Sequence, residues 1–169
     1  MISPRELERV YTEHGAALYA YLLNLSRSEA VSGDLLQELF LKLSRRSALT
    51  WKFVRHRRRY LLRAAYSLFV DHCRREKTRL AMLEEAGKSL SLFATEPTTD
   101  EVDGKLIGDL LGALPPEQRA VVHLKIWEEL TFREIAAVLN IPADTAASRY
   151  RYALDKLRAG HRQYYENRE

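Results

Sequence analysis

Apolar side chains recur along this chain at intervals of three and four residues. Leu7, Val10, Tyr11, His14, Leu18, Leu22 and Leu25 keep helical spacing behind Ser3 and Pro4, a pair suited to an N-cap and a first turn, so a helix is expected over 4–26. A second is expected over 32–46, with Leu35, Leu36, Leu39, Phe40 and Leu43 inward and Asp34, Gln37, Glu38 and Lys42 outward. Residues 47–53 read as irregular. A third helix follows over about 57–79, with Leu61, Leu62, Ala65, Leu68, Phe69 and Val70 as its apolar part. Polarity and breakers over 84–104, including Gly87, Gly104 and the EPTTDE stretch, read as a linker. Helical signals return over 106–114, and Pro115 and Pro116 open a further helix carrying Val121, Val122, Leu124, Lys125 and Trp127. No strand-like alternation of useful length and no internal repeat interrupts this pattern. The expected fold class is all-α: two small helical domains, 1–80 and 106–169, joined by a flexible acidic linker over 81–105.

Residues 131–158, TFREIAAVLNIPADTAASRYRYALDKLR, form the most informative stretch. Thr131 and Glu134 have capping-box spacing, so a short helix should start at Thr131, with Phe132, Ile135, Ala136 and Leu139 as its apolar stripe. Asn140 tolerates the left-handed conformation that ends a helix, and Pro142 suits the first turn of the next. In that second helix Ala146, Tyr150, Ala153, Leu154 and Leu157 share one face, and Thr145, Ser148, Arg149, Tyr152 and Lys156 share another. This is a helix-turn-helix pattern whose polar face suits a major groove: Arg149 for a bidentate guanine contact, Thr145 and Ser148 for phosphates or base edges, Lys156 for charge. Two crossed helices with a solvated charged face are also common in proteins that never touch DNA, so the rest of the chain has to decide.

Charge supplies part of the decision. The net charge is only +4, but its distribution is uneven. Arg55, Arg57, Arg58, Arg59, Arg63, Arg74, Arg75, Lys77 and Arg79 fall between 55 and 79 against Asp71 and Glu76 alone, whereas 80–110 is predominantly acidic. Among those arginines stand Trp51, Phe53, Tyr60 and Tyr66, candidate platforms for stacked bases. Cys73 is the single cysteine, which excludes an internal disulfide and fits a reducing compartment. The five histidines lack zinc-site spacing, and neither a glycine-rich phosphate loop nor a nucleophile constellation is present. No metal, cofactor or small-molecule substrate is expected, and no enzyme activity. The N-terminal MISPRELERV has no apolar signal core and no stretch approaches a membrane span, so a cytoplasmic protein without membrane insertion is expected.

The order of these parts resembles a compact sigma factor of the sigma-70 family, of the extracytoplasmic-function (group 4) type. SGDLLQELFLKL at 32–43 is similar to the region 2.2 helix that binds the clamp of the RNA polymerase largest subunit. RRYLLRAAYSLFVDHCRRE at 58–76 resembles regions 2.3 and 2.4, which melt and read the minus-ten element, and 114–158 resembles region 4, which reads the minus-35 element and binds the polymerase flap. The resemblance implies a sigma region 2 domain and a sigma region 4 domain, transcription initiation as the function, and core polymerase, promoter DNA and an anti-sigma factor as partners. It assigns Asp34, Gln37, Glu38 and Lys42 to core polymerase, Arg55, Tyr60, Arg63, Ser67, Arg74 and Arg75 to the minus-ten element, and Thr145, Ser148, Arg149, Tyr152 and Lys156 to the minus-35 element. Tyr66 and Ser67 stand where many relatives carry Arg and Asn, and Asp144, Ala146 and Ala147 also depart from the usual recognition helix. Promoter elements nearly two turns apart lie about 60 Å from each other, which about 25 linker residues, reaching about 80 Å, can span. The competing readings are a stand-alone helix-turn-helix regulator and a protein-interaction module that retains sigma-like helices.

Overall fold

A computed structural model describes residues 1–85 and 102–166, leaving out the side chains of 102–105. Among the described residues eight helices run in order: α1 (Pro4–Ser26), α2 (Glu29–Ser44), α3 (Ala48–Lys52), α4 (Arg57–Glu85), α5 (Val102–Gly112), α6 (Pro116–Ile126), α7 (Phe132–Leu139) and α8 (Ala143–Glu166). The described residues contain no strand. The all-α expectation holds. The linker expected over 81–105 lies largely outside the described residues; α4 continues to Glu85 and α5 is under way at Val102.

Local chemistry explains most helix ends. Ser3 Oγ accepts from the Glu6 amide at 3.3 Å, with Pro4 in the first turn, as expected. Arg27 closes α1 in the left-handed region at φ 58°, and its amide donates to the Leu23 carbonyl. Helix α2 starts at Glu29, earlier than the expected residue 32, because Ser28 caps it. Ser28 Oγ accepts from the Val31 amide at 3.3 Å. Ser32 is instead buried within α2, its hydroxyl donating to the Ser28 carbonyl at 2.7 Å. The segment expected to be irregular over 47–53 holds the one-turn helix α3. Burial of Trp51 fixes that turn, and its indole Nε1 donates to Glu6 Oε1 at 3.2 Å. Trp51 is 2% exposed, so the structure removes it from the candidate base platforms.

Helices α1, α2 and α4 pack on one another, and α6, α7 and α8 form a second group with α5 against α8. The two groups share a seam. Helix α4 packs on α7, and α1 on α6. One continuous buried cluster runs from Leu18, Leu22, Leu61 and Phe69 into Val121, Leu124, Ile135 and Leu139. A smaller cluster of Leu111, Leu114, Val122 and Ala153 lies under α5.

Candidate nucleic-acid interface

The helix-turn-helix is built as its local chemistry dictates. The Glu134 amide donates to Thr131 Oγ1 at 3.3 Å, and Glu134 Oε2 accepts from the Thr131 amide at 2.9 Å, completing the capping box. Helix α7 buries Ile135, Ala136, Val138 and Leu139, then ends at Asn140 with φ 55° and ψ 50°. Pro142 sits one residue before α8 rather than inside its first turn, and its carbonyl accepts from the Ala146 amide at 3.1 Å. Ala146 and Ala153 are fully buried, which lets α8 lie close against its neighbours. Phe132 packs on Tyr150 at a centroid distance of 5.6 Å, and the Lys125 ammonium stands 5.0 Å from the Phe132 ring.

The polar face expected on α8 is present, but only part of it is open. Tyr152 and Lys156 are exposed; Thr145, Ser148 and Arg149 are half-buried. Arg149 points into a crevice of about 390 Å³ shared with Arg63, Tyr66, Ser67, Arg74, Glu117 and Asn140. Its guanidinium lies against Tyr66: burial raises the Tyr66 phenol above its usual range, and the Arg149 charge pulls the other way. The structure therefore brings together side chains that the sequence reading placed on two separate surfaces.

On α4, Arg63, Ser67, Arg74 and Arg75 are exposed, as is Arg55 in the connection before it. Ser67 also borders a second cleft of about 390 Å³ between α2 and α4, lined by Lys42, Arg45, Arg46, Tyr60 and Asp71. Tyr60 is held there, because Arg46 Nη1 donates to its hydroxyl at 2.6 Å and the Arg46 guanidinium lies 4.7 Å from its ring centroid. Lys42, expected on the polymerase face, thus lines the same cleft as Tyr60. Phe53 is 85% exposed, the most open of the four aromatics considered as platforms.

Asp34 and Gln37 are exposed on α2, whereas Glu38 is engaged within the chain. Its carboxylate meets Lys42 Nζ at 3.0 Å and Arg75 Nη2 at 3.8 Å, and the Lys42 hydrogen bond leads the contacts that hold it below the usual carboxylate range. Two arginines of the basic run also find carboxylates across the seam. Arg58 Nε donates to Glu128 Oε2, and Arg59 Nη1 donates to Glu134 Oε1 at 3.0 Å. Glu134 thereby serves the α7 cap and α4 at once; the Thr131 amide is the main cause of its lowered carboxyl pKa. Sequence reasoning missed Arg46, Glu128 and the second role of Glu134, since no local spacing joins residues 70 or 75 positions apart.

Along α1 and α6 the seam is aromatic. His123 is buried, with Nδ1 3.2 Å from Asn24 Nδ2 and its ring 4.9 Å from Tyr21 and 5.2 Å from Trp127. Burial pushes its imidazole down to about 4. Among the described residues no group of three or more His, Cys, Asp or Glu side chains has metal-binding geometry, and no helix is long and apolar enough to cross a membrane.

Comparison with known proteins converges on this geometry. The family profile described as Sigma-70, region 4 matches residues 110–159, from the end of α5 through most of α8. The RNA polymerase sigma-E factor of Streptomyces coelicolor is 32% identical over 125 residues, covering 72% of this chain and 69% of that protein. The ECF RNA polymerase sigma factor SigL of Mycobacterium tuberculosis is 29% identical over 158 residues, 90% of this chain and 86% of that one. The sigma factor RpoE of Bartonella quintana, co-crystallised with the anti-sigma factor NepR, shares the fold at a TM-score of 0.76 and 19% identity, covering 94% of this chain and 98% of its own.

Proposed function

This chain belongs to the extracytoplasmic-function sigma factors of bacterial RNA polymerase, and from that premise we propose that each of its two groups of helices reads one promoter element. It is a sigma subunit acting in transcription initiation. In the proposed division of labour, residues 1–80 bind core polymerase and the minus-ten element, 81–105 connect, and 106–169 bind the minus-35 element. Thr145, Ser148, Arg149, Tyr152 and Lys156 serve the upstream element, Arg149 by a guanine contact. Arg55, Tyr60, Arg63, Ser67, Arg74 and Arg75 serve the downstream one. There an unpaired base needs a stacking surface and phosphate clamps, and Phe53 and the cleft beside Tyr60 supply candidate surfaces. Asp34, Gln37 and Glu38 present acceptors to the basic clamp, Lys42 completing that patch. The apolar groove of about 750 Å³ between α5, α6 and the end of α8, lined by Leu110, Trp127 and Leu157, suits the flap.

The observation that carries this reading is the capped α7–α8 pair with its Arg149-bearing face, inside the segment that matches sigma region 4. The chain performs no reaction of its own in this scheme, needs no cofactor, and works in the cytoplasm. An anti-sigma factor is proposed as a further partner, by analogy with the Bartonella complex. Run-off transcription tests the scheme: purified core polymerase with this protein should start transcripts on host genomic fragments that share an upstream and a downstream motif. DNA binding without any new start would support a stand-alone regulator instead.

A further inference from the structure

Three guanidiniums line the crevice between α4 and the α7–α8 turn, those of Arg63, Arg74 and Arg149, and its volume of about 390 Å³ is that of a small-ligand pocket. Other arginines of this chain are balanced. Arg57, Arg58 and Arg59 each meet a carboxylate within hydrogen-bond distance. Among the described residues no carboxylate lies in ion-pair range of Arg63 or Arg149, and Arg74 has only Asp71 at 3.9 Å. Like charges around one concavity repel each other, and a dianion seated among them relieves that cost through charge-assisted hydrogen bonds. The planar fork of arginine fits a phosphate in particular.

The rest of the lining decides what the phosphate is attached to. Val138 and Leu139 are buried and Val70 and Ile141 partly buried, so one part of the crevice is apolar and suits a ring rather than a bare inorganic ion. Asp71 and Glu117, both exposed, border the same space and supply acceptors for sugar hydroxyls. Asn140 adds an amide that can donate and accept. Charge, hydroxyl acceptors and an apolar patch thus stand together within one small volume.

We propose that this crevice is a binding site for a nucleoside monophosphate, with its phosphate among Arg63, Arg74 and Arg149, its ribose hydroxyls on Asp71 and Glu117, and its base against Val70 and Ile141. A duplex cannot enter a space of this size, so the site takes a small ligand and not DNA. The same three arginines belong to the promoter-binding surfaces proposed above, and a bound nucleotide denies them to the promoter. That consequence, unlike the site itself, rests on the promoter-binding reading.

Isothermal titration of the full chain at about 0.15 M salt tests the site with AMP, GMP, CMP, UMP, ribose 5-phosphate and inorganic phosphate as probes. At least one of the nucleotides should bind one to one and about tenfold more tightly than inorganic phosphate, with ribose 5-phosphate between them. Arg63→Gln, at an exposed position, should weaken nucleotide binding about tenfold. Glu117→Ala should narrow the preference for nucleotide over inorganic phosphate, since it removes a ribose acceptor while easing the repulsion of any anion. The proposal is overturned by the absence of saturable nucleotide binding, by equal affinity for nucleotides and inorganic phosphate, or by an Arg63→Gln variant that binds nucleotide as wild type does. A phosphoserine peptide that bound more tightly than every nucleotide would also overturn it, in favour of a phosphorylated protein partner. Saturating nucleotide should further weaken promoter binding by the holoenzyme about tenfold. Nucleotide binding without that loss refutes the competition and keeps the site, whereas an absence of run-off starts sinks the promoter reading and leaves the titration standing.

Discussion

Helix α7 is held on two sides by different means. Against α8 the contact is apolar and close, with buried Ala146 and the Phe132–Tyr150 pair. Against α4 it combines apolar burial of Val138 and Leu139 with a rim of charge, Arg59 on Glu134 and, from the segment just before α7, Glu128 on Arg58. The first contact joins neighbours in sequence through local capping and a tight turn; the second joins residues 70 and 75 apart. Apolar close packing tolerates little rearrangement. Ion pairs at a partly wet seam contribute little and exchange readily for another anion. The difference separates a close apolar contact set by local sequence from a mixed contact set only by docking.

Four measurements press on that contrast. The largest effect belongs to the buried side: Ile135→Ala, at a fully buried position, should destabilise the chain by about 2–5 kcal/mol in urea denaturation. A loss below 1 kcal/mol would mean that α7 is not packed as described. Next comes pH. The His123 imidazole titrates near 4 in the folded chain and near 6.5 unfolded. Above pH 6.5 both states are neutral and the full stability is present. As pH falls from 6.5 to 4 the unfolded state takes up a proton that the native state refuses, so stability drops by about 3 kcal/mol. Asn24, Tyr21 and Trp127 contact the ring, and the nearby charges of Glu128 and Arg58 act in opposite directions on it. Comparing urea midpoints of wild type and His123→Gln between pH 7 and pH 4 isolates this share; equal slopes would remove His123 as its source.

Arg149→Ala should cost about 1–3 kcal/mol in holoenzyme binding to the promoter and relax specificity at one upstream position. Equal loss on every sequence would reduce Arg149 to a phosphate contact. The smallest effect is the cap. Thr131→Ala removes the hydroxyl that accepts from Glu134 N and should cost about 1 kcal/mol, seen as a lowered melting temperature. An unchanged melting temperature would mean that the capping box does not hold the start of α7.

Much of the fold was legible because its signals are local. Ser3, Pro4, Thr131, Glu134, Asn140 and the paired prolines at 115 and 116 each act within a few residues, and the structure uses each where the local rule puts it. Periodicity placed the start of α2 at residue 32, three residues late, because the cap at Ser28 lies ahead of the first leucines of the apolar stripe and Ser32 is buried within the helix. It also missed α3. A five-residue helix has too few positions to show a period, and burial of Trp51 is what creates it. At the candidate interface, the faces of α4 and α8 follow from 3.6-residue geometry, so their side chains could be named in advance.

The sequence by itself determined, in outline, seven of the eight helices found among the described residues, including the capped pair α7–α8, and the basic run on α4, because hydrogen-bonding caps and helical periodicity act through the chain. Only the tertiary structure decided that Arg149 lies beside Tyr66, that Glu128 and Glu134 occupy the arginines of α4, and that Arg119 is buried unpaired. Those contacts arise from how two apolar surfaces dock, a choice made by the summed fit of many side chains far apart in sequence, which no spacing between residues encodes.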